Sequence, residues 1–498
     1  MRRLRSIAAL CLPLCLGLGL GLAGCGLTRP PAAAPAPFPA QWHAPLPHGG
    51  SLASLADWWR QLDDPLLVEL IAAAEAASPN LASAAARVAE ARSTRVQAGA
   101  ALLPNLDGTA SASRGVSGSS FGSAGASSSS SSTAIAPLTT LQAGLQSKWE
   151  IDLFGRLRAD RDSAEQKFNS ATAKWHEARV AVAAETANAY FAERACQQQL
   201  RVSESDARSR GETARLNDLS ARAGFTAPAD AALARASASD ASGRLTQQRA
   251  LCAVQRKALV ALSGIDEPTL EQKLAASPPQ RALPAVGSIA SVPAQAISQR
   301  PDVYAAELGV ASASADVGSA EAERYPKLSI SGSIGRMQIR TSGFRESLDT
   351  WTIGPVSLTV PLLDGGARAA NSDAAKARYT EAVSLYRANV RQAVREVEEA
   401  LVNLDATDAR TTDADAAVKN YQASFDATQA RYSSGLASLF ELEDSRRTLF
   451  AAQTARVSLQ RERTEAWVAL YRSMGGGWAR PESPSMTSNP AAKVATSP

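Results

Sequence analysis

Two periodicities organise this chain. Over residues 158–222, and again over 366–433, the pattern is helical. Val390, Val394, Val397, Leu401 and Leu404 recur at spacings of three and four, while Arg391, Arg395, Glu396 and Glu398 occupy the opposite positions. That is the stripe of an amphipathic helix. No proline interrupts either run, and the first holds a single internal glycine, Gly211. Each predicts one unbroken helix of about 65 residues, roughly 100 Å long at 1.5 Å per residue. Uncapped runs of this length belong to coiled coils or helical arrays rather than to an ordinary globular domain.

Other segments alternate at period two. Leu328, Ile330, Gly332 and Ile334 interleave with Ser329, Ser331 and Ser333. Trp351, Ile353, Val356, Leu358 and Val360 lie in the returning segment, which Pro361 closes. Leu141, Leu145, Trp149, Ile151 and Leu153 do the same earlier in the chain. Such alternation predicts strands with one apolar and one wet face, at about 104–118, 140–153, 326–341 and 350–362. Each strand is long enough to cross a bilayer when tilted. Four strands are too few to close a barrel, and an open sheet edge does not survive in lipid. Membrane strands of this kind therefore require several chains to share one barrel. A soluble coiled-coil rod accounts for the long helices but not for the strands between them.

The elements repeat. Pro79 and Pro104 bracket a helical segment, as do Pro301 and Pro326, with both offsets equal to 222. Phe154-Gly155-Arg156-Leu157-Arg158 matches Asp364-Gly365-Gly366-Ala367-Arg368 at offset 210, and Ala223-Gly224-Phe225 matches Ser434-Gly435-Leu436 at 211. The drop in offset coincides with a Ser/Gly-rich tract, residues 111–133, present only in the first copy. Each copy reads helix, strand, loop, strand, very long helix, tight turn at Gly224 or Gly435, long helix. The first repeat spans 58–270, a linker 271–290 and the second repeat 291–478; residues 479–498 read as a disordered tail.

The N-terminus has a different character. Arg2, Arg3 and Arg5 precede an apolar run and then Leu22-Ala23-Gly24-Cys25. This is an export signal over residues 1–24. Its ending resembles a bacterial lipobox, which implies a lipid on Cys25 and hence an anchored chain. Residues 25–57 are Pro- and Ala-rich and read as a linker. Removing the signal lowers the formal net charge from +4 to +1, so no basic footprint for nucleic acid remains.

Composition narrows the function further. The chain has 498 residues, 5% aromatics and three histidines, of which only His176 lies within the repeats. There is no Walker loop, H-E-x-x-H or G-x-S-x-G motif, so the sequence suggests neither an enzyme nor a metal site. Short side chains suit long helices packed closely around one another.

The combination of motifs resembles the TolC-like outer-membrane efflux factors, in particular their OprM-like lipoprotein branch. The motifs are Trp58-Trp59 with Asp64-Pro65; Asp152-Leu153-Phe154-Gly155-Arg156-Leu157-Arg158; Arg300-Pro301-Asp302-Val303 with Ala306-Glu307; Tyr325-Pro326; and Arg431-Tyr432-Ser433-Ser434-Gly435 before Leu439. The resemblance implies a mainly α fold with membrane β-barrel strands. Three protomers would build a twelve-stranded barrel continued by a periplasmic α-helical barrel. It implies a homotrimer in the outer membrane, partnered by a periplasmic adaptor and an inner-membrane transporter of RND type. The covalent lipid on Cys25 would be the only attached group. A type I protein-secretion outlet shares this fold and is the nearer alternative; an exported coiled-coil adhesin is the more distant one.

The same resemblance implies a gate at the periplasmic tip. Tyr432, Gly435, Phe440, Glu441 and Asp444 match an aperture motif, with Arg447 three residues after Asp444 on the same helical face. Asp230 matches an acidic position that ties the two hairpins together. One departure is Ala437, where the family often carries a polar or basic side chain. Three copies of Glu441 and Asp444 would gather carboxylates in one ring, which attracts cations and disfavours anions. The plain alternative is a solvated helix face.

Cys196 and Cys252 each lie 28 residues from Gly224. An antiparallel hairpin turning there brings them level, and an oxidising periplasm favours a disulfide. Two small buried thiols are the alternative. A run of six serines, residues 127–132, falls between paired strands and reads as a surface loop.

Overall fold

The computed structural model describes residues 29–36, 59, 62, 64–116, 137–277, 297–341, 344–478 and 480–481. The signal, Cys25, Trp58, the serine run and nearly all of the tail lie outside them. The elements in order are α1 (Pro65–Ala77), α2 (Pro79–Ala100), β1 (Asn105–Gly115), β2 (Leu138–Ile151), α3 (Arg156–Arg222), α4 (Pro228–Ser263) and α5 (Glu267–Ala276). They continue with α6 (Pro301–Ala322), β3 (Lys327–Thr341), β4 (Phe344–Thr359), α7 (Ala367–Ser433) and α8 (Leu439–Ser473). The repeat is visible in the lengths. Helices α2 and α6 each have 22 residues, α3 and α7 each 67, and α4 and α8 have 36 and 35.

The strand ends shift by up to three residues from the sequence reading, and two boundaries shift by six. Helix α5 runs to Ala276, into the span read as a linker from 271. Asp266 caps it by accepting from the Thr269 amide at 3.1 Å, and Leu270 and Leu274 bury its inner face, so the helix outlasts the apolar pattern that precedes it. Strand β4 begins at Phe344, six residues before the expected 350, and ends at Thr359. Its early part, Arg345 to Asp349, is too polar to show an alternation. Pairing with β3 holds it in place, from Thr341 opposite Phe344 to Arg336 opposite Asp349.

The chain divides into two compact units. One gathers residues up to 34 with 89–169 and 307–384; the other gathers 35–88, 170–306 and 385–498.

The first unit holds an antiparallel sheet of order β1-β2-β3-β4. Leu145, Ile334 and Trp351 stand in one cross-strand row, and Trp149, Ile330 and Val356 in another. Gln146, Ser333 and Thr352 occupy the other face. The apolar rows are not covered within the protomer: Trp351 is 71% exposed and Ile353 90%. The outer edges of β1 and β4 have no strand partner among the described residues. The helices leaving the sheet start on aspartates. Asp152 accepts from the Leu157 and Arg158 amides at 3.2 and 2.9 Å, and Asp364 accepts from the Gly366 and Arg368 amides at 3.0 and 3.2 Å. The Asp152–Arg158 motif is therefore a helix start, its carboxylate answering orphan backbone donors.

The second unit carries most of the core. Leu67, Leu70, Tyr190, Leu259, Leu401, Leu442, Leu470 and Met474 are almost fully buried, with many alanines between them. Asp64 caps α1 through the Leu67 amide at 3.3 Å and accepts from the Tyr190 hydroxyl at 2.5 Å. Burial and that carboxylate push the Tyr190 hydroxyl up to about 12. Buried Arg300 ties the start of α6 to α7 and α8: it donates to Glu396 at 2.8 Å and to the Ser473 carbonyl at 3.0 Å. No described helix is long and apolar enough to cross a membrane.

Candidate functional site

The two helical hairpins of the second unit, α3–α4 and α7–α8, end in matching turns. At the first, the Phe225 amide donates to the Ser220 carbonyl and the Gly224 amide to Ala221. At the second, Leu436 donates to Arg431 and Gly435 to Tyr432. Both glycines adopt positive φ, 82° and 75°. This is the Schellman closure of a helix, which needs a left-handed residue that glycine supplies without strain. Phe225, Leu436 and Phe440 project from these ends at 86%, 71% and 73% exposure.

Helix α8 then splits into two faces. Leu439, Leu442, Arg446 and Leu449 are buried, while Phe440, Glu441, Asp444 and Arg447 are exposed. The stripe that the resemblance assigns to the aperture is thus the stripe left uncovered within the protomer.

Its two acids are not equivalent. Glu441 closes a capping box: its amide donates to Ser438 Oγ at 3.2 Å and its carboxylate accepts the Ser438 amide at 3.3 Å. The other carboxylate oxygen lies 3.4 Å from Arg431. Glu441 is therefore committed to the turn. Among the described residues Asp444 accepts only from Arg447, at 2.6 Å along its own exposed face. A half-exposed intrahelical pair of this kind is weakly held. Tyr432 points the other way. It packs against Leu439 and Phe425, and its hydroxyl exchanges hydrogen bonds with Asn217 at 2.8 and 3.0 Å. Asp230 is exposed, and its carboxylate meets no hydrogen-bond partner within the described protomer.

Sequence reasoning missed a polar cluster beside this stripe: buried Asp206, Arg210, Thr213 and Asn217 on α3, with half-buried Glu443 and buried Arg446 on α8. A signal was present. Arg446 sits where the spacing Leu439, Leu442, Leu449 calls for an apolar residue, and the α3 residues repeat at four, three and four.

Higher on the first hairpin, Cys196 and Cys252 are joined as a disulfide with a Cα–Cα distance of 5.5 Å. One turn earlier lies Glu193, 1% exposed, whose carboxyl burial pushes up to about 7. The Gln197 amide donates to it at 3.1 Å, and Arg256 lies 4.0 Å away. His176 packs edge-on to Trp175 at 4.9 Å; burial and Arg179 hold it below the usual histidine range. Among the described residues no group of three His, Cys, Asp or Glu could hold a metal ion.

Long helical hairpins and membrane-length strands in one repeated chain define a class: channels that join a sheet of membrane-length strands to long helices. Comparison with known proteins specifies the family. The family described as outer membrane efflux protein matches residues 70–265 and 292–476. The pyoverdine export outer membrane protein OpmQ of Pseudomonas aeruginosa is 30% identical over 472 residues, covering 91% of this chain and 94% of that one. The solvent efflux pump outer membrane protein SrpC of Pseudomonas putida is 30% identical over 466 residues, covering 92% and 96%. Among solved structures, the outer-membrane channel OprN superposes with a TM-score of 0.78 at 27% identity, covering 91% of this chain and 99% of that one. The chain belongs to the outer membrane efflux protein family. It is an efflux channel of the outer membrane, with its helices in the periplasm.

Proposed function

We propose that this chain is the exit duct of a tripartite pump that discharges small toxic organic compounds. Three protomers share a twelve-stranded barrel, a lipid on Cys25 anchors each, and a periplasmic adaptor connects the duct to an inner-membrane transporter of RND type. The observation that carries the trimer is the sheet: four strands with an uncovered apolar face and two open edges, which lipid does not tolerate unless copies pair edge to edge. Pyoverdine and solvent, named for OpmQ and SrpC, support a small-molecule cargo.

The test is a deletion strain challenged with antibiotics, dyes, solvents and metals, then complemented. Lost tolerance to small organic compounds, restored by the gene, is the expected result. Loss of protein secretion alone would instead establish the type I outlet.

The gate reading belongs to this proposal. Asp444 and Arg447 would face the aperture from each copy, Phe440 would narrow it, and Tyr432, through Asn217, would hold the turn behind them. Glu441 would serve as a cap more than as a lining acid. Replacing Asp444 with Ser should raise single-channel conductance about twofold in planar bilayers by relaxing the constriction. Unchanged conductance would remove Asp444 from the gate.

A further inference from the structure

Both hairpins converge on one half-buried carboxylate, that of Glu443. On α3, Asp206 accepts from Arg210 at 2.8 Å and from Arg244 of α4 at 3.1 Å. The Arg210 guanidinium also donates to Ser237 Oγ of α4 at 2.6 Å and to Glu443 of α8. Ser237 Oγ donates to the same Glu443 oxygen at 2.6 Å. The other Glu443 oxygen accepts from Arg446, whose Nη2 donates to Thr213 Oγ1 of α3 at 3.0 Å. The Arg446 guanidinium lies 5.6 Å from the centre of the Phe425 ring on α7. The side chains of Arg210, Asp206, Glu443 and Arg446 are 10%, 5%, 15% and 5% exposed.

The charges do not balance one to one. Three guanidiniums face two carboxylates, so Glu443 is shared between Arg210 of the first hairpin and Arg446 of its own helix. Removing a shared acid leaves two buried cations on different hairpins, driven apart both by repulsion and by the gain in hydration on separating. Burial already holds the Arg446 guanidinium below its usual range.

At the tip below, an apolar cluster of Ala214, Ala234 and Leu439 with Tyr432 also joins the hairpins, but the described side chains add no second charged tie between them. Asp230 meets no side-chain partner among the described residues, Ala437 has no polar side chain, and Glu441 and Asp444 bond within their own hairpin. The Tyr432–Asn217 pair is neutral.

We propose that Glu443 is the positioning residue that clamps the second hairpin onto the first in each protomer, and that the aperture widens when Glu443 releases Arg210. This rests on the aperture reading of Asp444 given above. The test is single-channel conductance of the purified full-length trimer.

Glu443→Gln should raise conductance roughly twofold or more, whereas Glu443→Asp, which keeps the charge, should remain closer to the parent. If Glu443→Gln gives no stable trimer, Arg210→Lys serves in its place. It keeps the charge but loses the fork that joins Asp206, Ser237 and Glu443, and it too should raise conductance. Parent conductance in both variants overturns the clamp, as does an equal rise in Glu443→Asp and Glu443→Gln. Asp444→Ser, measured in parallel, separates the two ideas. If it opens the channel while Glu443→Gln does not, the clamp falls and the aperture stands. If Glu443→Gln opens it and Asp444→Ser does not, the clamp stands and the aperture lies elsewhere.

Discussion

At Gly224 and Gly435 the chain reverses through the same pair of backbone bonds, yet the helices that leave the two turns begin differently. Helix α4 starts on Ala227 and Pro228 with no side-chain cap, and α8 starts on Ser438 with Glu441 completing a capping box. Further along, the first hairpin carries a disulfide and a buried acid. At the positions 211 residues later, Cys196 and Glu193 are answered by Thr407 and Leu404, both buried. The repeat thus preserves what backbone geometry demands and leaves side-chain chemistry free to diverge. The first hairpin is covalently stapled, and its tip is tied by a Ser220–Thr226 hydrogen bond at 2.5 Å and an Arg235–Asp218 ion pair at 3.6 Å. The second is held by polar contacts that a change of partner can release.

The sharpest way to break this contrast is to remove the staple. Replacing Cys196 and Cys252 with Ser frees a loop of 56 residues and should cost about 4 kcal/mol. Amide exchange should accelerate along α3 and α4 and stay unchanged in α7 and α8. Equal acceleration in both hairpins would show that they unfold as one unit.

The buried acid comes next. The carboxyl of Glu193 sits near 7 in the fold against 4.5 when free, so the folded state favours its protonated form. That contribution is fully present below pH 4.5 and is lost as pH rises through 7, amounting to up to about 3 kcal/mol. Glu193→Gln should flatten the dependence of Tm on pH between 5 and 8. A parent protein whose Tm does not fall over that range would contradict it.

The turns should behave alike. A Cβ at Gly224 or Gly435 meets nothing within 4 Å, so each Gly→Ala substitution costs only the left-handed conformation, about 1–2 kcal/mol. Exchange rates of the amides around each turn measure it; a large difference between the two tips would reveal a second role for one glycine. The smallest effect concerns the caps. Ser438→Ala should cost about 1 kcal/mol at the start of α8, and Ala227→Ser should stabilise α4 by a similar amount, making the two tips equivalent. Exchange at residues 439–441 and 228–231 reads both changes.

The repeat, the two 67-residue helices and the turning glycines were legible because each leaves a local mark: a period, an absence of proline, a residue tolerant of positive φ. The first residues of β4 were not, because Arg345 to Asp349 follow no alternation and are strands only through their pairing with β3. The candidate site was half legible. The family resemblance singled out Phe440 and Asp444, and helical spacing placed Arg447 on the same face as Asp444; the fate of Glu441 was not legible, since a capping box depends on where the helix starts.

What the sequence determined by itself is therefore the order and length of the elements, their twofold repetition, and strands too few to close a barrel within one chain. Those follow from chain stiffness, hydrophobic period and the intolerance of lipid for open strand edges. Only the tertiary structure decided that Asp206, Arg210, Glu443 and Arg446 share one largely buried network while Asp230, among the described residues, meets no side-chain partner. The physical reason is that Arg210 and Glu443 lie 233 residues apart. No local pattern encodes such a pair; it exists because two hairpins pack, and a charge buried by packing must find its partner there.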